Sequence, residues 1–116
     1  RFELISQYLK HNNCLFRKSK WSNLYWYDGN YYQSDGEFMI GSWLQESGIK
    51  FKMHKSYPGH RLFYDFYLPD FHIYIEYCGR KESAYIKKKE ILSNVNIIWS
   101  SDVDDIIESV EELTRV

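Results

Sequence analysis

The sequence is poor in cysteine and carries almost no net charge. Its two cysteines, Cys14 and Cys78, stand far apart and outside any CxxC pair, so neither a zinc site nor a disulfide framework is indicated. We therefore expect a reducing, cytoplasmic setting. The formal net charge of −1 differs from that of a strongly basic nucleic-acid-binding protein.

Long apolar runs are also missing. No stretch approaches the roughly 20 apolar residues that a membrane-spanning helix needs, and no signal-peptide pattern opens the chain. Because the chain begins at Arg1 and runs directly into helical sequence, we expect a fragment or a processed chain, with a specificity domain missing upstream.

What the sequence has in abundance is aromatic side chains. Of 116 residues, 44% are hydrophobic and 19% aromatic, with 11 tyrosines, which favours one folded domain over disorder. Residues 101–112 hold six acidic residues and no basic one, and setting these aside with Arg115 leaves 14 basic against 10 acidic residues. The main body is thus partly basic, which is compatible with a phosphate backbone as partner.

The first thirty residues predict a short helix and a small hairpin. The helix covers residues 2–10, and short strands cover residues 14–16 and 24–27, the second closed by the turn sequence Asp28-Gly29-Asn30. Between the strands lies a basic cluster at residues 17–20, next to an aromatic residue. Such a cluster either grips nucleic acid or forms a solvated loop.

A second helix follows, with signals at both of its ends. Ser34 and Glu37 fit a capping box, in which the serine is the N-cap and the glutamate reaches back from the first turn. Gly48 is typical of a left-handed cap after the last helical residue. Residues 49–53 then alternate between apolar and polar side chains, which predicts a strand.

Residues 61–79 predict two strands folded back on each other, and the rest of the chain is organised around them. Asp65 lies in the first strand and Glu76 near the end of the second, both among apolar and aromatic neighbours. Buried carboxylates need a cation, a donor or a proton as partner, so the pair suggests a magnesium site. The alternative is two ordinary strand carboxylates that pair with Arg61 or face water.

The last third of the chain predicts a helical crossover and a closing helix. A helix over residues 82–92 precedes a buried strand over 95–99, which favours parallel pairing with the hairpin, and a final helix follows to residue 113. Lys88 interrupts the helix face that must pack on the sheet, so it either reaches the two carboxylates or snorkels at the rim of the interface. The fold class is α/β, a mixed sheet flanked by helices.

Three short motifs in this order resemble a known family. Residues 64–69 (YDFYLP), 75–79 (IEYCG) and 85–88 (YIKK) are similar to the PD-(D/E)XK nuclease superfamily, more narrowly to its Vsr-like and EDxHD homing-endonuclease branch. The likeness covers residues 34–113. It implies a restriction-endonuclease-like core over residues 34–116, with residues 1–33 as an N-terminal extension of one compact domain.

The resemblance also implies roles for individual residues. Asp65 would be the central metal-binding aspartate, Glu76 the acidic residue of the second strand, and the carbonyl of Tyr77 a further ligand of Mg²⁺ or Mn²⁺. Glu37 would orient the metal or its waters, unless it serves only the capping box. Lys88 would stabilise the negative charge that develops on the phosphate.

Some positions depart from the family pattern. Cys78 stands where the lysine of the motif is expected, so Lys88 would be a lysine that has moved to the helix. The histidine and aspartate of the EDxHD branch are absent, and Arg80, Lys81 and Glu82 stand there instead. Asp70 matches the letters PD with its proline, but a turn position is the simpler account of it.

These expectations combine into one function and one alternative. The chain is expected to be a metal-dependent DNA endonuclease of the homing or mismatch type, from a phage or mobile element, that acts on double-stranded DNA as a homodimer. The alternative is a catalytically silent nucleic-acid-binding or assembly domain on the same scaffold. Candidates for contacts with the DNA backbone are Arg17, Lys18, Lys20, Lys52, His60, Arg61 and Arg80.

Overall fold

The computed structural model describes residues 16–18, 25–27, 29–79 and 82–115, the first two segments by their backbone alone. The chain divides into two compact units, Arg1–Ile49 and Lys50–Val116. The helix predicted over residues 2–10 lies outside the described residues. The predicted extension over residues 1–33 and core over residues 34–116 stay predictions.

Three short strands form an antiparallel sheet in the N-terminal unit. They are β1 (Phe16–Lys18), β2 (Tyr25–Tyr27) and β3 (Asn30–Tyr32), in the order β1-β2-β3. Gly29 joins β2 to β3 at a φ of +85°, a backbone conformation that glycine adopts without a steric penalty. The turn predicted at this place is therefore found.

The loop interpretation of residues 17–20 is wrong for Arg17 and Lys18. Arg17 pairs with Trp26 and Lys18 with Tyr25 in the β1–β2 ladder. The described strand begins at Phe16 and includes two residues of the basic cluster, because pairing with β2 determines its extent and local charge does not; residues 14 and 15 of the predicted strand lie outside the described residues.

Helix α1 (Asp35–Glu46) follows β3 and has the predicted ends. Ser34 is its N-cap, and Gly48, just beyond it, has a φ of +72°. The helix buries Phe38, Ile40 and Leu44, while Trp43 is only half-buried. Gly41 lets the helix backbone approach the buried ring of Tyr32 closely, because a Cβ at this position would clash with the ring.

The C-terminal unit is an α/β unit built on a four-stranded mixed sheet. The strands are β4 (Lys52–Met53), β5 (Phe66–Leu68), β6 (Ile73–Tyr77) and β7 (Ile97–Ser100), in the order β4-β5-β6-β7. The pairs β4–β5 and β5–β6 are antiparallel, and β6–β7 is parallel. The predicted mixed sheet with a parallel last strand is confirmed.

Two helices belong to this unit. A 3-10 turn (Glu82–Ala84) precedes helix α2 (Ile86–Ile91), and helix α3 (Val103–Thr114) follows β7. Asp102 caps α3, since its carboxylate accepts hydrogen bonds from the amides of Asp104 and Asp105. No helix among the described residues is long and apolar enough to cross a membrane.

The first of the two strands predicted over residues 61–79 is shorter than predicted. It begins at Phe66, and the chain before it forms a separate hairpin over residues 55–64, called here the basic hairpin for its Lys55, His60 and Arg61. Ser56 bridges Phe63 across it. At its tip the amide of His60 donates to the carbonyl of Tyr57 at 3.0 Å.

The sheet of the C-terminal unit has two differently packed faces. One face of the β5–β6 hairpin buries aliphatic and phenyl side chains. On the other, Tyr67 and Tyr74 are cross-strand partners whose rings stack with centroids 4.5 Å apart. A core of Tyr57, Tyr64 and Leu92 packs together with them. The site described next lies beside this tyrosine cluster.

Candidate functional site

Asp65 lies one residue before β5, so its predicted place within the first strand is wrong. The pairing of Phe66 with Ile75 brings the chain at Asp65 next to the end of β6. Oδ2 of Asp65 accepts a hydrogen bond from the amide of Tyr77 at 2.8 Å, which ties this carboxylate to the backbone next to Glu76.

Glu76 is a buried carboxylate with two partners on one oxygen. Its side chain is 2% exposed. Oε2 accepts a hydrogen bond from the hydroxyl of Tyr57 at 2.6 Å and lies 2.7 Å from Nζ of Lys88. The charge of Glu76 is thereby compensated, as burial of a carboxylate requires.

Lys88 reaches the sheet, which was the first of its two predicted positions. Its ammonium contacts Glu76 and also donates to the carbonyl of Phe63 at 2.8 Å. The side chain is 22% exposed, so solvent reaches part of it, while Glu76 and the carbonyl of Phe63 hold its ammonium. The catalytic role of Lys88 stays a prediction.

The surroundings of Glu76 perturb two neighbouring groups. Burial, together with the hydrogen bond to Glu76, raises the pKa of the Tyr57 phenol far above its ordinary value, so the phenol keeps its proton and acts as a donor. Burial also raises the pKa of the Cys78 thiol, an effect that the nearby Lys89 opposes. Cys78 is therefore a protonated, 8% exposed thiol and no cationic substitute for the motif lysine.

The neighbour of Lys88 on the helix was misplaced by sequence reasoning. Lys89 is expected from helical spacing to face solvent, but it is half-buried, with its ammonium 5.5 Å from the ring centroid of Trp99. A cation over an indole ring is attracted by the ring quadrupole. Helix α2 thus directs two adjacent lysines toward the sheet.

Glu37 belongs to the N-terminal unit, where it completes the cap of α1. Its amide donates to Oγ of Ser34 at 3.1 Å, and its Oε1 accepts from the amide of Gln33 at 3.1 Å. The capping-box interpretation is confirmed, although the glutamate reaches the residue before the N-cap. Its role toward a metal stays a prediction.

The predicted DNA-contacting residues fall into three groups. Lys52, His60 and Arg61 have exposed side chains in the C-terminal unit. Arg17 and Lys18 are described by their backbone only. Lys20 and Arg80 lie outside the described residues.

The residues near Glu76 include oxygen donors of the type that a hard divalent cation prefers. Asp65 and Glu76 are carboxylates, and the carbonyl of Tyr77 accepts one hydrogen bond, from the amide of Gly79 at 3.1 Å, which leaves its second lone pair. Magnesium and manganese favour such oxygen ligands.

Tyr57 is the site residue that sequence reasoning missed. The sequence assigns it to a turn, because it precedes Pro58 and Gly59. The turn sequence gives no signal for its 1% exposure or for its hydrogen bond to Glu76.

Comparisons of this chain with protein-family models, curated protein sequences and solved structures give no match. The resemblance to the PD-(D/E)XK nucleases therefore stays a prediction that rests on the motifs quoted above.

Proposed function

We propose that this chain is a metal-dependent endonuclease that hydrolyses phosphodiester bonds in double-stranded DNA. The observation that supports it most is the ammonium of Lys88 held 2.7 Å from the buried Glu76, close to where Asp65 accepts the amide of Tyr77. Metal-dependent phosphodiester hydrolysis uses carboxylates to bind the cation and an ammonium to stabilise the negative charge on the phosphate.

Each residue has a defined part in this proposal. Asp65, Glu76 and the carbonyl of Tyr77 would hold Mg²⁺ or Mn²⁺, which when bound polarises a phosphoryl oxygen. Lys88 stabilises the negative charge that develops on the phosphate, because its ammonium is fixed before the substrate arrives. The exposed side chains of Lys52, Lys55, His60 and Arg61 contribute contacts to the DNA backbone.

Nicking of a supercoiled plasmid tests the proposal. Wild type is expected to nick in Mg²⁺ and to stop in excess chelator, and Asp65→Asn and Lys88→Met are expected to lower the rate by about 100-fold or more. Asp70→Asn and Lys87→Met are matched controls, because Asp70 and Lys87 are exposed and have no role in the proposed site. Equal loss in the control variants would contradict the assignment.

A silent nucleic-acid-binding domain is the second candidate. It is favoured by the compensation of Glu76 within the chain itself, since Lys88 and Tyr57 already satisfy Oε2, and by Cys78 in the position of the motif lysine. If wild type binds DNA with the same affinity with and without Mg²⁺ and never nicks it, this second function replaces the first.

A further inference from the structure

Tyr57 is held rigidly at the base of the basic hairpin. Its amide donates to the carbonyl of Leu62 at 2.9 Å, and its own carbonyl accepts from the amide of His60 at 3.0 Å. Gly59 permits this tight turn at a φ of +77°, with Pro58 at the position where proline presets the backbone.

The ring of Tyr57 is fixed as firmly as its backbone. It packs against Tyr74 and Tyr64, with centroid distances of 4.7 and 5.6 Å, and 1% of the residue is exposed. The hydroxyl therefore has one available position. Rigid support of this kind is what holds a functional side chain in productive geometry.

The hydroxyl of Tyr57 and the ammonium of Lys88 both contact the same carboxylate oxygen of Glu76, Oε2. A carboxylate oxygen has two lone pairs, and Oε2 accepts from Tyr57 at 2.6 Å and contacts Lys88 at 2.7 Å. A cation that binds Glu76 without displacing either donor must use Oε1. The two donors thus select which oxygen is available to a ligand.

The other arm of the basic hairpin holds the second donor. Nζ of Lys88 donates to the carbonyl of Phe63 at 2.8 Å, and Phe63 bridges Ser56 across the hairpin. One hairpin therefore supports both partners of Glu76, although it supplies no carboxylate of its own to the site.

We propose that Tyr57 is a positioning residue that orients Glu76 for cation binding through its hydroxyl. This inference rests on the proposed function, because it concerns the cation of that site. In Tyr57→Phe the packing of the ring is retained, one lone pair of Oε2 becomes vacant, and Lys88 alone holds the carboxylate. Loss of a group that orients a metal ligand typically weakens metal binding or activity by about 10- to 100-fold.

Binding of Mn²⁺ to the full chain without DNA tests the role of Tyr57 directly. Free Mn²⁺ is measured by electron paramagnetic resonance for wild type, Tyr57→Phe and the control Tyr64→Phe, which removes a hydroxyl from the same tyrosine cluster. The half-saturating Mn²⁺ concentration is expected to rise about 10-fold in Tyr57→Phe and to stay unchanged in Tyr64→Phe. Equal affinity in all three proteins overturns the inference and leaves the proposed function standing.

Two further measurements separate positioning from stability. With the DNA concentration varied in saturating Mg²⁺, Tyr57→Phe is expected to lower kcat and to leave KM for DNA unchanged; a change in KM alone overturns the inference. Should Tyr57→Phe not fold, Gly59→Ala is the second variant. It strains the turn that holds Tyr57 at an exposed position, and an unchanged Mn²⁺ affinity in it contradicts the role of Tyr57. A wild type that binds no Mn²⁺ overturns the proposed function and the inference together.

Discussion

The contact between Glu76 and Lys88 predicts strong energetic coupling that a double-mutant cycle can measure. Removing one partner of a buried ion pair costs about 3–5 kcal/mol, because the other charge stays buried without compensation. Lys88 is 22% exposed, so solvent relieves part of this cost, and we expect about 3 kcal/mol for Lys88→Met. Glu76→Gln keeps an acceptor for Tyr57 and lets Lys88 turn to water, so we expect about 1–2 kcal/mol.

The double variant carries no buried charge and should be more stable than the sum of the two changes suggests. We expect a coupling free energy of about 2 kcal/mol, measured by urea unfolding and followed by near-ultraviolet circular dichroism, whose aromatic signal includes the tyrosine cluster. A cycle with Lys87→Met in place of Lys88→Met is the control and should be additive, since Lys87 is exposed. Additivity of the Glu76–Lys88 cycle within about 0.5 kcal/mol would refute the reasoning.

Two further predictions concern alkaline pH and the close approach in α1. Burial raises the pKa of Tyr57, Tyr64 and Tyr74 above the ordinary 10.0, so the folded chain keeps protons that the unfolded chain loses as pH rises. Their contribution to the free energy of unfolding, constant below about pH 10, should therefore fall above it. The fall is up to about 1.4 kcal/mol per pH unit for each tyrosine. Urea unfolding between pH 9 and about 11 measures this, and an unchanged slope in Tyr57→Phe would contradict it. Gly41→Ala should destabilise the chain because its Cβ would meet the Tyr32 ring, yet stabilise a Tyr32→Ala background by up to about 1 kcal/mol; thermal unfolding of both pairs checks the change of sign.

Local signals in the sequence were sufficient for several elements. Ser34 before α1 and Gly48 after it each act within a few residues of the chain, and both have the predicted positions. Parallel pairing of β7 followed from the helical crossover. The place of Lys88 on the packing face of a helix left two positions open, and the structure shows the one that contacts Glu76.

Non-local pairing explains what the sequence did not reveal. The extent of β1 depends on its register with β2, and the start of β5 depends on the basic hairpin that precedes it. Tyr57 meets Glu76 across a separation of 19 residues, and nothing near Tyr57 in the sequence indicates that partner. Lys89 is half-buried because Trp99, on a strand beyond the helix, offers its ring face.

The sequence separations within the site have a consequence for the order of folding. Lys88 and Phe63 are 25 residues apart, and Tyr57 and Glu76 are 19 apart, so closing these contacts pays loop entropy that short-range turns do not. During synthesis, a nascent chain that ends before Lys88 contains Glu76 but lacks the ammonium that compensates its charge in the folded chain. The site can therefore assemble only after α2 has emerged, and any activity that depends on it should appear late, with the completed C-terminal unit.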